Sequence, residues 1–479
     1  MTDDRYRSPL GTRYASPEMQ RLWGERVRIG LWRRVWLALA EGERELGLDI
    51  PPAALAEMRT HLDDVDLVAA AEYERRFRHD VMAHVHQFGD QAPSARPYLH
   101  LGATSAFVTD NADVLLLRDA TRLLLGRLLR VLDHLATFAR AHAGLPCLAY
   151  THFQPAQLTT VGKRATLWMQ DFALDVEAIL HLLETIRLRG CKGTTGTQAS
   201  FLELFKGDSG KVRELERRIA ERLGIPRVFP VTGQTYSRKA DSQVMDMLSG
   251  IAQSAAKMAT DLRLLQHEGE ILEPFEQEQI GSSAMAYKRN PMRAERVCGL
   301  ARFVISLQAN TANTAATQWL ERTLDDSANR RLTLPEAFLA TDAILVLMEN
   351  IAGGLEVRPE TIGRHVQEQM PFMTTERWLM LGVEAGGDRQ ALHEVIRTNA
   401  LATAEAVGRG EPNRLLERLA ADATFAKIPT GKLQAELDPQ RYTGRSAEQV
   451  SEFLVEYLAP LLGRAAPLAV TAANVEIRV

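Results

Sequence analysis

Between Ala112 and Ala143 the chain carries no proline and a single glycine, Gly126. Its apolar residues Val114, Leu117, Leu124, Leu128, Val131, Leu135 and Phe138 recur at the spacing of one helix face. At about 1.5 Å per residue this is a rod of roughly 45–50 Å. The stretches Val161–Arg189 and Asp241–Leu272 read the same way, and two further long helices are expected from Met292 to about Thr317 and from Pro335 to Asn350. Strand signals are nearly absent. Patterns longer than about 25 residues indicate a coiled coil, a membrane span or a large bundle. Charges distributed along every one of them exclude the membrane. The expectation is therefore an all-α fold with a central bundle of long helices, whose stripes are long enough to bury neighbours from other chains as well.

The flanking regions have a different texture. Residues 1–105 hold shorter helical pieces punctuated by Pro51, Pro52, Pro93 and Pro97, and turn signals return after Gly353-Gly354, at Gly386-Gly387 and in Gly410–Asn413. Ser446, with Gln449 three residues on, resembles a capping box. Three domains are expected: residues 1–105, containing His79; residues 106–357, the long-helix bundle containing His152 and Ser282; and residues 358–479. A net charge of −4 and a pI near 6.3 give no basic footprint for nucleic acid. Cys147, Cys191 and Cys298, with no CxxC pair, argue against a disulfide framework or a thiolate zinc site. The opening "MTDDRYRSPL" has no apolar core of a signal peptide. A cytoplasmic protein without a membrane segment is expected.

Several stretches do not read as scaffold. "RHDVMAHVH" brings His79, His84 and His86 together, which suggests either a metal site, as in a phosphohydrolase built on a His-Asp pair, or a functional His79-Asp80 beside two packing histidines. No acidic cluster nearby completes a metal shell, which favours the second reading. In "THFQPAQLTT", His152 lies just ahead of Pro155, where the chain is pushed extended, and an imidazole there is fit to donate a proton to a leaving group. "GCKGTTGTQASF" spaces its glycines as GxxGxxG, which fits neither the dinucleotide nor the Walker fingerprint. "ERTLDDSANRR" groups Arg322, Ser327, Arg330 and Arg331 as a receptor for phosphate or carboxylate, or else as a solvated charged turn. Finally, "GSSAMAYKRNPMR" places a polar loop of thirteen residues, Gly281–Arg293, where a short turn would have joined two helices.

The last of these resembles the signature of the fumarase/aspartase superfamily, GSSxMxxKxNP. "RHDVMAHVH", "THFQPAQLTTVGKR", "KGTTGTQASF", "TGQTYSRK" and "ERTLDDSANRR" narrow the resemblance to the adenylosuccinate lyase family, in the form typified by the animal enzymes. The likeness runs from "SPLGTRYASPEM" to "DPQRYTGRS". One position departs: Ala286 stands where proline is common before Tyr287, which should loosen the loop without removing a chemical group.

The resemblance implies β-elimination of fumarate from adenylosuccinate and from the succinylated aminoimidazole carboxamide ribotide of purine synthesis, with no metal or organic cofactor. Ser282 matches the base and His152 the general acid, with Glu295 orienting that imidazole. His79 matches a second active-site histidine. Lys288 and Asn290, with Thr104 and Ser105, match the grip on the succinyl carboxylates, and Gln234 falls beside the same moiety. Arg13, Tyr14, Arg296, Arg322, Ser327 and Arg331 match residues around the nucleotide, chiefly its phosphate. Arg78, Asp80 and Thr151 flank the two histidines and are placed with the substrate. The family is a homotetramer in which three subunits build each site. Other lyases of the superfamily, such as argininosuccinate lyase or fumarase, are disfavoured by the "LDDSANRR" arginines. A non-catalytic scaffold is disfavoured by the joint presence of Ser282, Lys288, His152 and Glu295.

Overall fold

A computed structural model describes residues 5–276, 278–473, 475 and 477. Its frame is a set of five long helices: Ser105–Ala141, Val161–Thr185, Lys239–His267, Met292–Ala316 and Asp325–Gly353. The first has 37 residues, about 55 Å of rod. It starts seven residues earlier than its apolar stripe suggests. Its opening turns carry Asp110 and Asn111, which read as polar yet are buried, because both are satisfied by groups distant in sequence.

Pro335, where the sequence predicts the start of a helix, lies inside Asp325–Gly353. A mid-helix proline forfeits one backbone hydrogen bond. The preceding turns are held from outside, through Asp326 paired with Arg238 and Arg330 paired with Asp241. Asp325 and Asp326 also suit the positive end of the helix. Consequently most of "ERTLDDSANRR" is helix rather than loop. At Ser446 a helix does begin, but the hydroxyl donates to the Thr443 carbonyl (2.6 Å) instead of capping Gln449.

Strand is confined, among the described residues, to two short antiparallel pairs: the hairpin Pro146–Thr151 with Gln154–Thr160, and Ile271–Leu272 with Glu356–Val357. Among the described residues three apolar cores form. The largest is filled by the five rods from Leu117 onward. A second joins the helix Glu25–Glu45 to the first turns of the long rod (Phe107 to Leu115), and the segment from Leu188 to Tyr236 folds back onto it. The third surrounds the buried Trp378 and reaches Leu433. Among the described residues no helix is long and apolar enough to cross a membrane.

Candidate active site

The N-terminal and central regions enclose a cleft of about 860 Å³. The helix Leu67–Phe77 ends with Arg78 in the left-handed region (φ 55°), which turns the chain sharply so that His79 can open the next helix. His79 Nδ1 accepts the Met82 N–H at 3.3 Å. In the neutral ring this leaves the proton on Nε2, which meets Ser105 Oγ at 3.3 Å. Asp80 receives the Val81 N–H (2.8 Å) on one oxygen and Arg331 Nη2 (2.7 Å) on the other. Burial pushes the Asp80 carboxyl up, but the hydrogen bonds and charge of its partners outweigh that and leave it below the usual range. Thr104, Gln234, Arg322 and Ser327 line the same cleft. Nine residues singled out from the sequence, Arg78, His79, Asp80, Thr104, Ser105, Gln234, Arg322, Ser327 and Arg331, thus converge.

The floor of this cleft is a buried ionic network that the sequence did not reveal. Arg238 forks onto Asp110 (3.1 and 3.2 Å) and donates through Nε to Asp326 (2.6 Å). Asp326 in turn holds Arg322 through both oxygens, at 2.9 and 3.0 Å. Arg330, grouped by sequence with the receptor arginines, is buried and bonded to Asp241 (2.7 Å), the Tyr236 hydroxyl (2.7 Å) and Asp113 (3.0 Å). It stabilises the floor. Such networks hold their geometry because breaking one member strands a buried charge. Gln234 is fixed from two sides: its N–H donates to the Glu321 carbonyl (2.9 Å) and its own carbonyl accepts Arg189 Nε (2.6 Å). The sequence carried no distinct signal for it, because Asp110 is one of several charged residues along the rod, with Asp113, Arg118, Asp119 and Arg127.

His152 lies elsewhere, at the tip of the hairpin. His152 and Phe153 form a two-residue turn with φ of 53° and 57°. Such turns favour Asn-Gly, and a residue with a side chain costs about 1–2 kcal/mol in this conformation. Strain of this kind persists where the surroundings fix it. Below the tip, the Tyr150 ring packs on Phe153 at 5.5 Å, and its hydroxyl reaches Glu270 Oε1 at 3.4 Å. Glu270 is fully buried and shares that oxygen with His365 Nδ1 at 2.9 Å. Thr151 pairs with Gln154 across the turn and, like His152, is exposed.

Gly281–Arg293 closes on itself. The Ser282 hydroxyl oxygen accepts the backbone N–H groups of Ala284 (3.4 Å) and Met285 (3.2 Å). Asn290 Nδ2 ties the loop back to the Gly281 carbonyl at 2.7 Å. A Cβ on Gly281 would sit 2.1 Å from the Lys288 carbonyl oxygen, so only glycine fits there. Glu273, buried and ahead of the loop, accepts the Arg293 (3.1 Å) and Ala294 (2.9 Å) N–H groups in the first turn of the helix that follows it. Lys288, Ala286 and Glu295 are exposed. Within one chain neither the loop nor His152 lines the cleft, and no hydrogen bond joins Glu295 to His152.

Arg13, Tyr14 and Arg296 form a third group around a pocket of about 480 Å³. The Arg296 guanidinium lies 5.2 Å from the centre of the Tyr14 ring. The remaining histidines of "RHDVMAHVH" diverge. His84 is buried edge-on against Trp32 at 5.6 Å, and burial pulls its pKa down to about 4. His86 lies against the rings of Phe77 (4.7 Å) and Tyr73 (5.4 Å). Among the described residues no three His, Cys, Asp or Glu side chains gather as a metal-ligand set.

Comparison with known proteins is consistent with this geometry. A family model described as "Lyase" matches residues 32–306, and one described as "Adenylosuccinate lyase C-terminus" matches residues 371–453. The solved 3-carboxy-cis,cis-muconate lactonizing enzyme from Pseudomonas putida superposes with a TM-score of 0.80 at 24% identity, covering 96% of this chain and 99% of that one. A fumarate lyase from Mesorhizobium sp. BNC1 gives 0.79 at 23%, covering 92% and 98%. The chain is thus a lyase with the all-α fumarase/aspartase fold. Adenylosuccinate lyase from Saccharomyces cerevisiae is 50% identical over 94% of both chains, and that from Schistosoma mansoni 47% identical over 96% of both. The protein belongs to the adenylosuccinate lyase family.

Proposed function

We propose that this chain cleaves adenylosuccinate to AMP and fumarate, and the succinylated aminoimidazole carboxamide ribotide to its free carboxamide and fumarate. The observation that carries the chemistry is the pair of backbone N–H groups aimed at Ser282 Oγ. A serine hydroxyl is a poor base at neutral pH, and preorganised donors of this kind stabilise its alkoxide form. As alkoxide, Ser282 takes the proton from the succinyl carbon next to a carboxylate. The electron pair left behind becomes the C=C bond of fumarate as the C–N bond breaks, and His152 delivers a proton to the departing nitrogen. Lys288 adds positive charge beside the base, and Glu295 orients the His152 ring.

In the same reading, His79, Thr104, Ser105, Gln234 and Asn290 hold the succinyl end. Arg322, Ser327 and Arg331 take the nucleotide together with Arg13, Tyr14 and Arg296. Because one chain distributes these residues over the cleft, the hairpin tip, the loop and a separate pocket, we infer a homotetramer in which three chains complete each site. The three-domain division at residues 105 and 357 and a cytoplasmic location belong to this reading, as does chemistry without metal or cofactor.

The test is direct. EDTA-treated protein is incubated with adenylosuccinate, and AMP and fumarate are followed by absorbance and chromatography. Stoichiometric formation of both supports the assignment. Absence of both from a folded oligomer overturns it, in favour of a scaffold or another succinyl substrate.

A further inference from the structure

The lone glycine of the longest rod has a partner. A Cβ on Gly126 would lie 2.0 Å from the Val470 carbonyl oxygen, so the C-terminal segment crosses the rod in direct backbone contact at this point. Three arginines of the same helix pin the segment on either side. Arg122 Nε donates to the Leu468 carbonyl (2.7 Å), Arg130 donates to that of Ala472, and Arg127 Nη1 approaches that of Ala473 (3.5 Å). The Val470 N–H returns a bond to the Arg122 carbonyl (3.0 Å), and the Ala473 N–H donates to Glu18 (3.2 Å).

Described residues of this strap reach the third group of site residues. Ala473, Val475 and Ile477 line the pocket that Arg13, Tyr14 and Arg296 share with Val346 and Leu347. The two walls have one support. Arg127, which reaches the strap, is buried and bonded through Nε to Asp342 (2.7 Å), whose other oxygen accepts the Ser16 N–H (2.6 Å) just after Tyr14. We propose that the C-terminal strap, through Val475 and Ile477, is the apolar wall of the nucleotide-phosphate pocket and sets how tightly a phosphorylated substrate is held. The inference rests on the reading of that pocket given above. A lining that combines Arg13 and Arg296 with aliphatic Val346, Leu347, Val475 and Ile477, and one carboxylate, Glu18, suits a nucleoside monophosphate, its anion held by the arginines and its ribose or base by the apolar residues.

Two variants test it in the full-length protein. Val475→Ser/Ile477→Ser removes the wall, and Gly126→Ala displaces the strap without touching a lining residue. The expected result is a KM for adenylosuccinate raised about tenfold by the loss of apolar contact, with kcat changed less than about twofold. AMP inhibition should weaken in parallel, while the melting temperature of the double variant falls by only a few degrees, since Ile477 is a partly buried residue at the edge of the main core. An unchanged KM in the folded double variant overturns the inference, whether or not Gly126→Ala folds. Arg13→Ala and Arg296→Ala separate the two levels. If they raise KM while the strap variants do not, the strap inference alone fails; if they leave KM unchanged, the reading of the pocket fails with it.

Discussion

Arg331 Nη2 donates to Asp80 Oδ2 at 2.7 Å, bridging the turn that carries His79 to the Asp325–Gly353 helix across the cleft. The pair is partly exposed, so it contributes at most about 1 kcal/mol to folding. In the proposed function, an anion entering the cleft would compete with Asp80 for the same guanidinium. Arg331→Ala should raise KM for adenylosuccinate by about tenfold or more, the loss expected for one charge-assisted contact. The melting temperature should move by only a few degrees. Steady-state kinetics and calorimetry check both, and an unchanged KM removes Arg331 from the substrate site.

Ser282→Ala removes the atom on which the two loop N–H groups converge. Turnover should fall by a factor on the order of a thousand or more, while AMP binds with its wild-type affinity. Residual turnover near the wild-type rate would remove Ser282 as the base.

The hairpin tip separates stability from activity. Glycine adopts the φ of 53° held by His152 without the penalty of a side chain. His152→Gly should therefore leave the melting temperature unchanged or raise it slightly, while lowering kcat by at least about a hundredfold if His152 is the general acid proposed above. A variant that loses activity and stability together would instead make His152 a structural residue.

Asp175 offers a pH test of the bundle. Burial raises its carboxyl to about 7, and Oδ2 has no hydrogen-bond partner. A raised carboxyl is proton-bound in the fold. Its contribution is complete below the unfolded pKa near 3.8, falls as pH rises, and is lost above about 7. Asp175→Asn removes this dependence. The stability difference between variant and wild type should shift in favour of the variant by about 2 kcal/mol between pH 5 and pH 8. A difference that is flat with pH, measured by denaturation at both values, would contradict the assignment.

What the sequence made legible follows from range. The five rods could be read because helix periodicity is local, and Gly281–Arg293 because its chemistry is contiguous. The cleft floor could not, since Arg238 meets Asp110 and Asp326 at separations of 128 and 88 residues. The hairpin tip escaped because His152-Phe153 lacks the Asn-Gly signature of its turn type. Pro335 misled because ion pairs from outside the helix outweigh its local cost. Gly126 was visible as an anomaly, but its reason lay in Val470, at the far end of the chain.

In the proposed tetramer, residues kept apart in one chain complete each other's sites between chains. Ser282→Ala and His152→Gln proteins, each inactive alone, are mixed, dissociated and allowed to reassemble. Recovery of a substantial fraction of wild-type activity in the hybrids is the predicted result. Hybrids that assemble yet stay as inactive as either parent would place Ser282 and His152 in the same chain's site, and contradict the account.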